Sequence, residues 1–181
     1  GRDVADRARG LWFAQRDVDD GCNLLATALL DAKRIKPDDV WRKARLSLEQ
    51  QRPGAAKAAV GLLGNAQARD AAEAVDSPTR HLARPASGGR AAQELRLLAL
   101  MRLAQTDADA AATRLDTRGL RLDGEHAAWA WAYLARQTAF RLSTDAATQM
   151  LRALSLLPGD ANPGWSDDTL AWGVRALLRG A

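Results

Sequence analysis

The chain has 181 residues, 47% of them hydrophobic and 27% charged, with 26 Lys and Arg against 22 Asp and Glu for a net charge of +4. That length suits about one domain, and the apolar content is that of a folded chain rather than a disordered one. A lone cysteine excludes an intramolecular disulfide and a Cys-rich zinc site, and no run of about 18 apolar residues is present to span a membrane.

Alanine dominates with 39 residues, whereas Val, Ile, Phe and Tyr are few. This favours helices over a large sheet. The chain starts Gly1-Arg2-Asp3. It shows no Met, apolar h-region or small-residue cleavage site, so it reads as a processed or cut chain without a visible signal peptide.

In chain order, Val4, Ala8, Leu11 and Trp12 recur on one face of a helix from about Asp3 to Gln15. A second helix is expected from Asp19 to Lys33. Asp19 and Asp20 lie at its favourable dipole end, and Cys22, Leu25, Ala26, Leu29 and Leu30 form its stripe. Pro37 at a first helical position, followed by Asp38-Asp39, starts a third. Its apolar face is Val40, Trp41, Ala44 and Leu48, and it stops near Gln51. A fourth runs from Pro53 to Leu63 and is closed by Gly64-Asn65; a fifth runs from Ala66 to Val75.

Residues 76–90 carry two Pro and two Gly and read as irregular, with one helical turn around Arg80–Arg84. Arg90 to Gln105 is a helix so rich in Leu that it should be well buried. Asp107 to Asp116 follows with Thr106 as its cap. Asp123 to Leu142 is the longest helix, and Ser143 or Thr144 caps the next, to about Leu156. Pro158 to Trp165 reads as a loop. Ser166-Asp167-Asp168 caps a last helix with the stripe Leu170, Val174, Leu177 and Leu178. The class is therefore all-α, about ten helices with short links that make neighbours antiparallel, either as a closed bundle or as an open array of hairpins.

Motifs for chemistry are scarce. There is no phosphate-cradling glycine loop and no Gly-x-Ser-x-Gly elbow. His81 and His126 stand in unrelated segments without a metal-ligand partner at i+4, and read as surface or capping residues. Cys22 on an apolar stripe reads as a small buried hydrophobe. The pairs Asp19-Asp20, Asp38-Asp39 and Asp167-Asp168 all lie at helix starts, where the macrodipole accounts for them. No catalytic, cofactor-binding or metal-ligating residue is assigned.

The basic residues, 22 Arg and 4 Lys, are spread along nearly every helix rather than in one block. They read as solvated faces rather than as a nucleic-acid surface. Trp12, Trp41 and Trp172 fall on apolar stripes and read as core. Trp129 and Trp131 point about 200° apart on a helix, so at least one should lie near the surface or a hairpin seam.

Gly10 to Leu63 contains Leu11-Trp12, then Cys22-Asn23-Leu24-Leu25, Pro37-Asp38-Asp39-Val40-Trp41-Arg42 and Leu46-Ser47-Leu48, before the Ala-rich stretch Gly54–Leu63. This order resembles the α-superhelical region of soluble lytic murein transglycosylases. The later helices, and Val174-Arg175-Ala176-Leu177 in the last, are similar to the hairpins that follow in that family. Asn23 stands where the family has Asp, and Leu25-Ala26 where it has Leu-Phe.

The resemblance implies a right-handed α-superhelix over 1–181, with a separate lysozyme-like catalytic domain beyond residue 181. That domain carries a Glu-Ser motif and a Gly-Leu-Met-Gln stretch. Here Gln50, Ala74, Leu95 and His126 follow the four Glu, so this segment itself would be non-catalytic. The parent would be a lyase that cleaves peptidoglycan glycan strands to 1,6-anhydromuramic acid ends. The resemblance further implies a periplasmic monomer, compatible with a peripheral place at the membrane. Its partner would be glycan strands and not nucleic acid, and it would need no cofactor. The competing expectation is a helical-hairpin protein-interaction module unrelated to the cell wall.

Overall fold

In the computed structural model, which describes residues 2–16, 18–117, 120–159 and 163–180, the described residues form eleven helices and no strand. The chain divides into two compact units, Gly1–Val75 and Asp76–Ala181. No composition shift announces this division, which falls inside a helix.

The first unit holds α1 (Arg2–Ala14), α2 (Asp20–Asp31), α3 (Pro37–Glu49), α4 (Pro53–Gly61) and α5 (Asn65–Asp76). Here α1 packs on α2, and α3 on α4. The start of α3 follows from local chemistry. Pro37 occupies the first turn, and the Lys36 N–H donates to Asp39 Oδ2 at 2.9 Å. Val40, Trp41, Ala44 and Leu48 are all buried, as their spacing predicts.

The stripes of α1 and α2 are only partly used. Trp12 is buried, but Val4 and Leu11 are exposed; on α2 burial reaches Ala26 and Leu29. Cys22 is half-buried rather than buried, since it lies beyond those two contacts. The ends of α2 and α3 turn through left-handed residues, Lys33 (φ 55°) and Gln51 (φ 61°). Neither is the glycine that usually marks such a stop, yet both lie where the sequence places the ends of these helices.

The second unit holds α6 (Pro78–Ala83), α7 (Arg90–Thr106), α8 (Ala108–Leu115), α9 (Gly124–Phe140), α10 (Asp145–Ser155) and α11 (Asp167–Gly180). The turn expected around Arg80–Arg84 is the short helix α6. On α7 every residue from Glu94 to Met101 is buried, in line with its Leu density. The cap of α8 is Asp107, whose Oδ1 accepts from the Ala110 N–H at 2.9 Å. Thr106 instead ends α7, donating its hydroxyl to the Leu103 carbonyl.

The long helix α9 touches α7, α8, α10 and α11. Surrounded on this many sides, α9 buries both Trp129 and Trp131. Neither lies at the surface, and Trp131 faces the seam with α10, where Arg152 covers its ring. At α10 the Ser143 hydroxyl accepts from the Asp145 N–H at 3.3 Å, and Thr144 makes no side-chain cap bond. Of the expected loop 158–165, residues 160–162 lie outside the described residues; 163–166 are non-helical and Trp165 is buried. Ser166 Oγ accepts from the Thr169 N–H at 3.1 Å and caps α11.

The apolar stripe of α11 faces outward. Val174 is 57% exposed and Leu178 74%. The buried face is Thr169, Gly173 and Ala176, small residues that let the α11 backbone approach α9 and α10 closely.

Candidate functional site

Glu94 on α7, Asp123 at the start of α9 and His126 in the first turn of α9 come together in the second unit. Their assembly has a local half and a long-range half. Asp123 caps α9 by accepting from the His126 N–H at 3.0 Å. The same carboxylate oxygen lies 2.5 Å from His126 Nδ1. From α7, Glu94 Oε1 stands 3.1 Å from His126 Nε2. Arg90 flanks the cluster, 3.7 Å from Glu94 and 3.6 Å from Glu125. The side chains of His126 and Glu94 are completely buried.

Burial alone would push the His126 pKa down. Glu94 first, and Asp123 after it, outweigh that and hold it above the ordinary value. For Asp123 burial pushes upward, but the bonds and charge of His126, with Arg90, leave it below its ordinary value. The ring thus sits between carboxylates on opposite nitrogens, which favour its protonated form.

That arrangement does not suit catalysis or metal binding. Both ring nitrogens are engaged and no solvent reaches the ring. The carboxylates lie on opposite ring nitrogens, and no His, Cys, Asp and Glu group among the described residues is placed to hold a metal ion. The cluster clamps α9 to α7. The reading of His126 as a surface residue is corrected; its place beside a helix cap follows from Asp123, three residues before it. His81, on α6, is half-buried.

In the first unit Lys43 is the corresponding buried cation. Its Nζ donates to the carbonyls of Phe13 (3.0 Å), in the last turn of α1, and Gln15 (2.5 Å), just past its end. A cation there complements the negative end of a helix. Burial lowers its pKa, with the nearby Cys22 opposing. Replacing Lys43 with methionine should cost about 1.5 kcal/mol by leaving those carbonyls unsatisfied. Urea denaturation of the two chains checks this, and an unchanged midpoint would mean the clasp is idle.

The acidic pairs sit at helix starts. Asp19 accepts from the Cys22 N–H at 3.1 Å. Asp39 also holds Arg9 at 2.5 Å, and Asp168 lies 3.6 Å from Arg136.

Several arginines are structural rather than simply solvated. Arg152 lies over the Trp131 ring, 4.1 Å from its centroid, and pairs with Asp116 at 2.5 Å. Arg175 lies over Trp172 at 4.9 Å, and Trp172 meets Phe140 edge-on at 4.4 Å. A cavity of about 270 Å³ opens among Leu142, Thr144, Ala176 and Arg179, with no acid–base pair in its wall. No helix among the described residues is long and apolar enough to cross a membrane.

No protein-family model, curated protein or solved structure matches this chain.

Proposed function

We propose that this chain is the substrate-framing helical part of a periplasmic peptidoglycan lytic transglycosylase, itself without the cleaving residue. The observation that carries the reading is the order of motifs. Leu11-Trp12, Cys22-Asn23-Leu24-Leu25, Pro37 to Arg42 and the Ala-rich Gly54–Leu63 follow an order that resembles that of the murein transglycosylase superhelix, with Asn23 and Leu25-Ala26 as departures. They occupy α1, α2, α3 and α4 in turn. The contacts of α7 with α9, and of α9 with α11, are also of the kind an array of hairpins makes between alternate helices. A net positive chain suits a polymer whose peptides carry carboxylates. Under this reading the segment positions glycan strands, and a lysozyme-like domain carries the cleavage.

The full chain should sediment with insoluble peptidoglycan at low ionic strength. About 1 M salt should release it, since screening there reaches about 3 Å. A chain that stays in the supernatant at low salt overturns the reading. A protein-docking role is the second reading, favoured by the exposed Leu170, Val174 and Leu178 on α11. Leu178→Asp would abolish such docking and leave sedimentation with peptidoglycan unchanged.

A further inference from the structure

We propose that a cavity in the second unit, walled by Arg84, Arg96 and Arg114, binds the carboxylate of a small aliphatic acid. The cavity measures about 180 Å³ and opens between the end of α6, the middle of α7 and the last turn of α8. That is room for a carboxylate and a short stem.

The charge in the wall is of one sign. Three arginines line it, and no acidic residue does among the described residues. Asp116, the acid nearest in sequence on α8, is held by Arg152 at 2.5 Å. The central cation is Arg96, which is only 6% exposed. Its Nη2 donates to the Ser87 carbonyl at 2.5 Å, while its buried Nη1 has no hydrogen-bond partner. Burial, and Arg121 nearby, disfavour the charge on Arg96, yet a guanidinium stays protonated. A buried cation with an unsatisfied donor costs free energy until an anion meets it.

The rest of the wall selects among anions. Leu82, Pro85 and Leu120 are apolar. They favour a carboxylate with methyl or methylene groups beside it over inorganic phosphate, whose hydration they cannot replace. The planar fork of arginine matches a carboxylate with two parallel bonds. The inference rests on this geometry and stands apart from the peptidoglycan reading.

The test is an NMR titration of the whole isotope-labelled chain with N-acetylalanine, N-acetylalaninamide and inorganic phosphate. Saturable shifts at Leu82, Arg96 and Leu120 are expected with N-acetylalanine, and none with the amide, which lacks the anion. Loss of one charge-assisted pair should weaken binding about tenfold or more in Arg96→Gln. Arg114→Gln, on a partly exposed position, gives the same reading if the first variant does not fold. Absence of saturation with N-acetylalanine, equal binding of the amide, tighter binding of phosphate, or undiminished affinity in the variants would each overturn the proposal.

Discussion

Glu94→Ala should destabilise the chain by about 3–5 kcal/mol, because it removes one partner from a fully buried ion pair. Only Asp123 would then favour the protonated form of His126 against its burial. The loss should depend on pH, and its sign follows from the shifts. His126 has a raised pKa in the folded chain. Its contribution is therefore complete below about 6.5, the ordinary histidine value, and fades as pH rises through the higher folded value. Asp123 has a lowered pKa. Its contribution is complete above about 3.8 and fades as pH falls through its folded value.

The native chain should thus be most stable, so far as this cluster decides, between about pH 4 and 6.5. The penalty of Glu94→Ala should be greatest there and shrink in alkali, where the ring of the native chain also gives up its proton. His126→Gln should flatten the alkaline limb. Denaturant titrations at pH 5, 7 and 9 check all of this. A penalty for Glu94→Ala that is the same at all three would show that only the vacated volume matters, and that the charge pair contributes nothing.

This cluster was half visible in the sequence. Asp123 three residues before His126 has the spacing of a cap, and a histidine at that place puts its ring beside the capping carboxylate. Glu94 is 32 positions away, and no local pattern links it to a ring on another helix. Its signal was of another kind. Glu94 shares a helix face with Leu98 and Met101, and a carboxylate on such a face needs a buried cation. The all-α class and the starts of α3, α4 and α11 were legible because Pro37, Pro53 and Ser166 mark them with local chemistry, whereas α6 begins at Pro78, two residues before the turn expected at Arg80. The ends of α2 and α3 were legible to within two residues, at Lys33 and Gln51, although the left-handed turn is made there without glycine. Burial was legible on α3 and α7, where apolar side chains are large. It misled on α11, because periodicity counts apolar surface and takes no account of how closely two backbones approach.

Gly173→Leu should cost about 2 kcal/mol, net of the gain in helix propensity over glycine. A Cβ at Gly173 would collide with Met150 Cε and lie 3.1 Å from its Sδ and 3.3 Å from its Cγ. The tip of a methionine can swing aside for one methyl group, so Gly173→Ala should nearly balance. There the propensity gain of about 1 kcal/mol offsets the displacement. Leucine adds three more carbons at a site where Met150 is already buried against α11, and the helix must back away from α9 and α10. Leu178→Ser, on the exposed stripe, should change stability by less than about 0.5 kcal/mol. Denaturation midpoints rank the three variants. Amide exchange should quicken chiefly along α11 in Gly173→Leu, as expected when one element loosens before the rest. If Leu178→Ser proved costlier than Gly173→Leu, the leucine stripe and not the small-residue face would be what anchors α11.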